Sequence, residues 1–133
     1  NPEDIPKLLS VLIDQKADLV IANRFGQRNK IPFIRRLFNG FGNLLTFLVT
    51  GLFLPDTQSG FKVFGSRALQ EIDLKMAGFE FCTEIIGEAR RHRWKVVSVP
   101  TKVVYSPYTL AKGQSFANGL ITACKILLRC LLR

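Results

Sequence analysis

The stretch from residue 3 to residue 22 leaves this chain few folds to choose from. Ile5, Leu8, Leu9, Leu12 and Ile13 recur at helical spacing, so residues 3 to 15 read as an amphipathic helix. Ala17-Asp18-Leu19-Val20-Ile21-Ala22 follows at once and reads as a short strand buried on both faces. A helix running straight into such a strand predicts an α/β layout with a largely parallel sheet. Asn1 is placed to cap the helix, with Pro2 in the first turn and Glu3 and Asp4 near the positive end of the dipole. A chain that opens on a cap reads as a piece of a longer protein. In parallel sheets ligands bind at the carboxyl ends of the strands. Asn23, Arg24 and the basic loop through Arg28 and Lys30 fall at such an end.

Pro32 starts a second helix, expected to run to about Leu54. Its polar residues, Arg36, Asn39, Asn43, Thr46 and Thr50, lie three or four apart and make one narrow stripe. The remaining surface is apolar or glycine, wider than a surface helix needs. Two readings stay open: a helix buried in a core, or an interfacial helix facing lipid. The uninterrupted part, Phe41 to Leu54, is shorter than the roughly 20 residues that cross a bilayer.

The next segment, Asp56-Thr57-Gln58-Ser59-Gly60-Phe61-Lys62, crowds a carboxylate, an amide, hydroxyls and a lysine into one corner. Such a cluster marks a site, because buried polar groups are costly unless satisfied. It is equally readable as a plain loop, with Asp56 and Ser59 bonding nearby backbone and Gly60 supplying a special turn angle. Phe61 to Phe64 then reads as a strand, and Ser66 as the cap of a short helix through Ile72. Thr83 reads as the cap of a helix to about His92, with Glu84 in its first turn. Lys95 to Pro100 and Thr101 to Tyr105 read as extended, interrupted at Pro100. Ser115 to Arg133 is expected to be a helix whose basic stripe lies beside a broad apolar face, which suits an anionic membrane surface or docking on its own domain.

Charge narrows the partners. Lysine and arginine number 19 against 10 acidic residues, a net charge of +9. That surplus favours a polyanion: nucleic acid, anionic lipid or a phosphorylated substrate. No nucleic-acid motif or interleaved stacking aromatics are present, so a nucleic-acid partner is not expected. The three cysteines, Cys82, Cys124 and Cys130, lack metal-ligand spacing and suit a reducing, cytosolic setting. No P-loop, dinucleotide fingerprint or zinc pattern occurs. Arg24, Arg35-Arg36 and Lys62 flank the Asp56 corner in sequence and are candidate phosphate ligands. Cations at a helix start oppose its dipole, which favours a bound anion near Arg35 and Arg36. Glu84 reads as a dipole partner or a site residue, His92 as a surface residue, and Lys112 as loop charge or a late phosphate contact.

Taken in order, Asn1 to Pro6, Asp18 to Ile21 with Arg24, Pro32 with Arg35-Arg36, the Asp56 to Lys62 corner, Gly78 to Phe81 with Thr83-Glu84, and Val97 to Tyr105 resemble one known family. They are similar to the C-terminal half of the family-2 glycosyltransferases, in particular the polyprenyl-phosphate sugar synthases. The resemblance implies a GT-A fold, an α/β sandwich with a mostly parallel sheet. It implies inverting transfer of a sugar from a nucleotide-sugar to a dolichyl or undecaprenyl phosphate at the cytoplasmic face of a membrane. It implies Mg²⁺ or Mn²⁺, held by an N-terminal half whose Asp-x-Asp would lie upstream of Asn1. The chain would then be an acceptor-side part, inactive by itself. By position, Arg24 and Arg35 would grip the acceptor phosphate, with Asn39 one turn along and Lys62 nearby. Asp56 and Gln58 would line the reaction centre, and Arg36 and Glu84 are further candidates. Ala22-Asn23 before Arg24, and Gly113 to Phe116, depart from the family's usual residues. Two other readings remain: a family-2 transferase with a saccharide or protein acceptor, and a basic membrane-surface module without catalysis. Asp56 would serve as a base toward a hydroxyl acceptor; toward a phosphate, already largely ionised, it would orient a sugar hydroxyl or hold Arg24 or Lys62 in place.

Overall fold

A computed structural model describes residues 1–27, 30–76, 78, 80–103, 105, 121, 124 and 125. Asn1 caps the start as expected, its side chain accepting from the Glu3 N–H. A short 3₁₀ turn leads into α1 (Ile5–Asp14). Lys16, at φ 49°, swings the chain from helix into β1 (Leu19–Asn23), every residue of which is buried.

Alternation along β1 explains its unbroken apolar run. Leu19 and Ile21 face one layer, packing with Ala68, Ile85, Ile86, Ala89 and Trp94. Val20 and Ala22 face the other, packing with Leu8 of α1 and Val99. The strand is therefore the middle of an α/β sandwich. On one flank β3 (Val96–Pro100) pairs with it in parallel, Leu19 opposite Val96 and Asn23 opposite Pro100. On the other flank β2 (Lys62–Phe64) pairs antiparallel, Ile21 opposite Lys62.

The described sheet is thus mixed, with the order β2-β1-β3, rather than mostly parallel. The reason is positional. The chain leaves β1 at its carboxyl end, passes through α2 (Phe33–Thr50), and returns to that same end at Asp56. The strand that follows can only run back down.

Several boundaries differ from expectation. α2 stops at Thr50 rather than near Leu54, because Gly51 takes a left-handed φ of 71° and donates its N–H to Phe47. Ser66 is the first residue of α3 (Ser66–Glu71), whose cap position is Gly65. α4 (Phe81–Arg91) starts two residues before Thr83, so Thr83 lies inside the helix instead of capping it. His92 is half-buried rather than a plain surface residue, stacked on Trp94 with ring centroids 5.8 Å apart. The expected helix from Ser115 to Arg133, along with Arg28 and Lys112, lies outside the described residues apart from positions 121, 124 and 125. Cys82 and Cys124 are free thiols.

The orientation of α2 decides between the two readings left open for it. Most of its polar stripe points inward, Thr46 being fully buried against α4, while Arg36 at its start is exposed. Its apolar surface points outward, with Phe33 78% and Leu48 69% exposed, and Phe53 just beyond the helix 81% exposed. A wholly buried helix is therefore excluded. Among the described residues, no helix is long and apolar enough to cross a membrane.

Candidate active site

The site is built where β1 ends. The Asn23 side chain accepts the Phe25 N–H at 2.8 Å and turns the chain, leaving Arg24 at the sheet's edge. The corner after α2 brings Asp56 to it. The Asp56 carboxylate accepts the Arg24 backbone N–H at 2.9 Å, its Nε–H at 2.8 Å and its Nη2–H at 2.7 Å. Asp56 is 1% exposed, a burial tolerable only for a paired and hydrogen-bonded carboxylate. Burial works against the Arg24 charge. The bonds and charge of Asp56, backed by Tyr105, more than offset it and hold the guanidinium above its ordinary value. The Asp56 side chain thus bonds a distant residue rather than its own loop.

Behind Asp56 the loop is held by the inward stripe of α2. Asn43 donates Nδ2–H to the Pro55 carbonyl at 2.8 Å, and its Oδ1 accepts the Thr57 N–H at 2.9 Å and the Thr57 hydroxyl at 2.7 Å. The Thr46 hydroxyl lies 3.0 Å from that of Thr83 and accepts Nε2–H of Gln58 at 3.2 Å. Gln58 also donates to the Thr57 hydroxyl. Its amide nitrogen therefore serves this internal network. Ser59 accepts the Phe61 N–H, so the plain-loop reading holds for Ser59. It fails for Gly60, which does not take a left-handed backbone.

A cleft of about 380 Å³ opens beside Arg24, lined by Asn1, Arg24, Ser59, Thr101 and Lys102 among others. It sits at the carboxyl ends of the parallel pair β1 and β3, and two cationic side chains reach its wall. Arg35 lies over the ring of Tyr105, 5.4 Å from its centroid, and Tyr105 is also a neighbour of Arg24. Arg24 and Arg35 thus share Tyr105 as a neighbour and Asp56 pairs with Arg24, while neither Arg35 nor Asp56 is among the cleft's lining residues. Asn39 is half-buried, one turn beyond Arg35 on α2.

Other candidates go elsewhere. Lys62 turns beneath the loop to the Ser59 carbonyl and lies 3.6 Å from the Cys82 sulfur, and it is not among the cleft's lining residues. Burial pulls the Lys62 ammonium below its usual range, with Cys82 and Asp56 opposing the shift. Glu84 accepts the Lys75 and Met76 N–H groups, so it secures a loop. Arg36 is exposed in a shallow groove with Phe33, Leu37 and Phe41. Sequence reasoning assigned no site role to Tyr105, Asn43 or Lys102, and took Thr57 only as part of the Asp56 corner. The helical spacing of Asn43 was a usable signal, but it did not say which face of α2 meets the protein.

No protein-family model matches the chain. An uncharacterised protein of Methanocaldococcus jannaschii is 30% identical over 138 residues, covering 100% of this chain and 55% of that protein. A UDP-N-acetylglucosamine–dolichyl-phosphate N-acetylglucosaminyltransferase of Methanococcus voltae is 27% identical, covering 89% of the chain and 49% of that protein. An undecaprenyl-phosphate mannosyltransferase of Micrococcus luteus is 29% identical, covering 78% and 44%. The chain is thus similar to proteins named as dolichyl- and undecaprenyl-phosphate sugar transferases.

The chain spans about half the length of these relatives. Among the described residues, no group of three His, Cys, Asp or Glu side chains could hold a metal ion. The buried carboxylate paired with the cleft's Arg24, that of Asp56, already has both oxygens on that guanidinium. The described residues therefore do not fit the divalent cation that the family resemblance implies.

Proposed function

We propose that the whole protein transfers a sugar from a nucleotide-sugar to a polyprenyl phosphate at a membrane surface. In this reading the chain is the acceptor-side part of a GT-A sandwich and is inactive alone. The observation that carries the reading is the Arg24 fork. A guanidinium is locked by a buried carboxylate at the carboxyl edge of parallel strands, in the wall of a cationic cleft. A guanidinium has two donor edges; Asp56 holds the Nε–Nη2 edge, and in this reading fixing it beforehand lowers the entropy lost when a phosphate meets the other edge.

An acceptor phosphate oxygen attacks the anomeric carbon and forms the new C–O bond. The bond to the nucleoside diphosphate breaks, and that group leaves with the electron pair, inverting the centre. A phosphate monoester, with a second pKa of about 6, is already largely ionised at neutral pH. It needs no strong base. Asp56, with both oxygens accepting from Arg24, suits holding the phosphate ligand in place rather than removing a proton. Arg35, over Tyr105, closes the phosphate site from the α2 side. The outward face of α2 lies in the lipid surface, with exposed Arg36 placed for anionic headgroups. Mg²⁺ or Mn²⁺, together with the nucleotide, is bound by residues beyond those described.

The test is transfer by the full-length protein in vesicles carrying polyprenyl phosphate, across a panel of nucleotide-sugars. Arg24→Lys keeps the charge but loses the fork, and is expected to raise KM for the acceptor about tenfold or more. Transfer to free saccharide or protein with none to polyprenyl phosphate would overturn the reading.

A further inference from the structure

The part of α2 that touches the Asp56 corner is small and specific. Asn43 bonds the residues on either side of Asp56, Pro55 and Thr57, and nothing about Asp56 itself. Its orientation is settled by chemistry. The Pro55 carbonyl can only accept and the Thr57 N–H can only donate, so the amide nitrogen faces the first and the oxygen the second. One turn away, the Thr46 hydroxyl holds Gln58. Between them Gly42 leaves bare backbone against the Gln58 stem, where an added Cβ would come within 2.9 Å of its Cγ. The loop that carries Asp56 is thus fastened to one face of a helix whose other face bears Phe33, Ile34, Leu37, Phe41, Leu44 and Leu48 in the open. A helix moves as a rod, so a displacement imposed on its outer face is delivered to its inner one.

We propose that Asn43 is a positioning residue that couples membrane seating of α2 to the placement of Asp56, and through Asp56 to the Arg24 fork. The occupant of the outer face is an anionic lipid surface. The chain's charge of +9 and the exposed Arg36 beside the apolar groove complement it. This inference rests on the membrane reading above and adds a route by which the membrane tunes the site. Asn43 touches neither substrate nor reacting atoms in this role. Its effect passes through the loop.

The full-length protein is used, with vesicles of phosphatidylglycerol, phosphatidylcholine and polyprenyl phosphate. Asn43→Ala leaves the outer face of α2 intact, so co-flotation with vesicles is retained and KM for the nucleotide-sugar changes little. Its kcat falls about 10- to 100-fold, the scale on which misplacement of a catalytic constellation by about 1 Å acts. Thr57→Val, which removes the hydroxyl bonded to Asn43, lowers kcat in the same way, and Thr57→Ser restores it. Hydrogen exchange supplies a readout independent of turnover. In the wild type, vesicles slow exchange across residues 55 to 60, and in Asn43→Ala this slowing is lost. A normal kcat in Asn43→Ala, or equal vesicle-induced protection in both proteins, overturns the coupling. If the wild type transfers no sugar, the proposed function fails. The exchange comparison still decides the coupling.

Discussion

Removing one member of the Arg24–Asp56 pair tells apart the two roles Asp56 could play. Three N–H groups of a single residue converge on this carboxylate, whose side chain is 0% exposed against 21% for Arg24. Asp56→Asn keeps the shape but turns an acceptor oxygen into a donor facing other donors, and it leaves the guanidinium without its counter-ion. Breaking a buried pair from one side costs about 3–5 kcal/mol. Arg24 reaches water at its edge, so the low end applies, about 3 kcal/mol. For a protein about twice this length, that lowers Tm by roughly 6–12 °C. Arg24→Met with Asp56→Leu removes both charges and is expected to recover most of the lost stability while leaving no activity. The decisive assay is a double-mutant cycle on kcat/KM. If Asp56 acts by holding Arg24, Asp56→Asn costs little further rate once Arg24 is Met. If Asp56→Asn lowers the rate by the same factor in both backgrounds, Asp56 works independently of Arg24 and the holding role is wrong. A wild-type-like Tm for Asp56→Asn would refute the buried pair itself.

Three further outcomes follow from the geometry. Thr46→Val keeps the volume but strips the hydroxyl shared by Thr83 and Gln58 in a fully buried spot; a loss of about 1–3 kcal/mol is expected in chemical denaturation. Leu48→Glu with Phe53→Asp, both at highly exposed apolar positions, should abolish vesicle flotation while leaving Tm nearly unchanged; unchanged flotation would remove α2 from the membrane contact. Lys62 has a folded-state pKa below its ordinary 10.5 because it is buried, so its protonated form costs stability that returns as pH rises through the window between the depressed value and 10.5. Relative to Lys62→Met, the wild type should therefore gain stability as pH rises through that window; a loss over the same range would contradict the burial.

Much of the layout was legible from residue pattern alone. The unbroken run from Leu19 to Ala22 announced a strand covered on both faces, and the Leu8 and Leu12 spacing announced the helix that covers one of them. The crowding of Asp56, Thr57 and Ser59 marked the corner that proves buried. Pairing partners were not legible. Asp56 and Arg24 are 32 residues apart; residue types offered Arg24 and Lys62 alike as groups that Asp56 could hold, and only the fold chose Arg24. Lys62 looked like a phosphate ligand because it is basic and adjacent. Its side chain instead follows β2 inward, where side-chain direction is dictated by strand alternation rather than by charge.

α2 draws the line between the two kinds of information. Periodicity determined that a helix with a narrow polar stripe and a broad apolar one would follow Pro32, since that is set by backbone geometry and residue order, although the helix ends at Thr50 rather than near Leu54. Which stripe meets the protein was decided only in three dimensions. The buried corner offers a carbonyl, an N–H and hydroxyls that must be satisfied, and Asn43 and Thr46 satisfy them from the polar side. The apolar side is thereby left outside, where a lipid surface can take it.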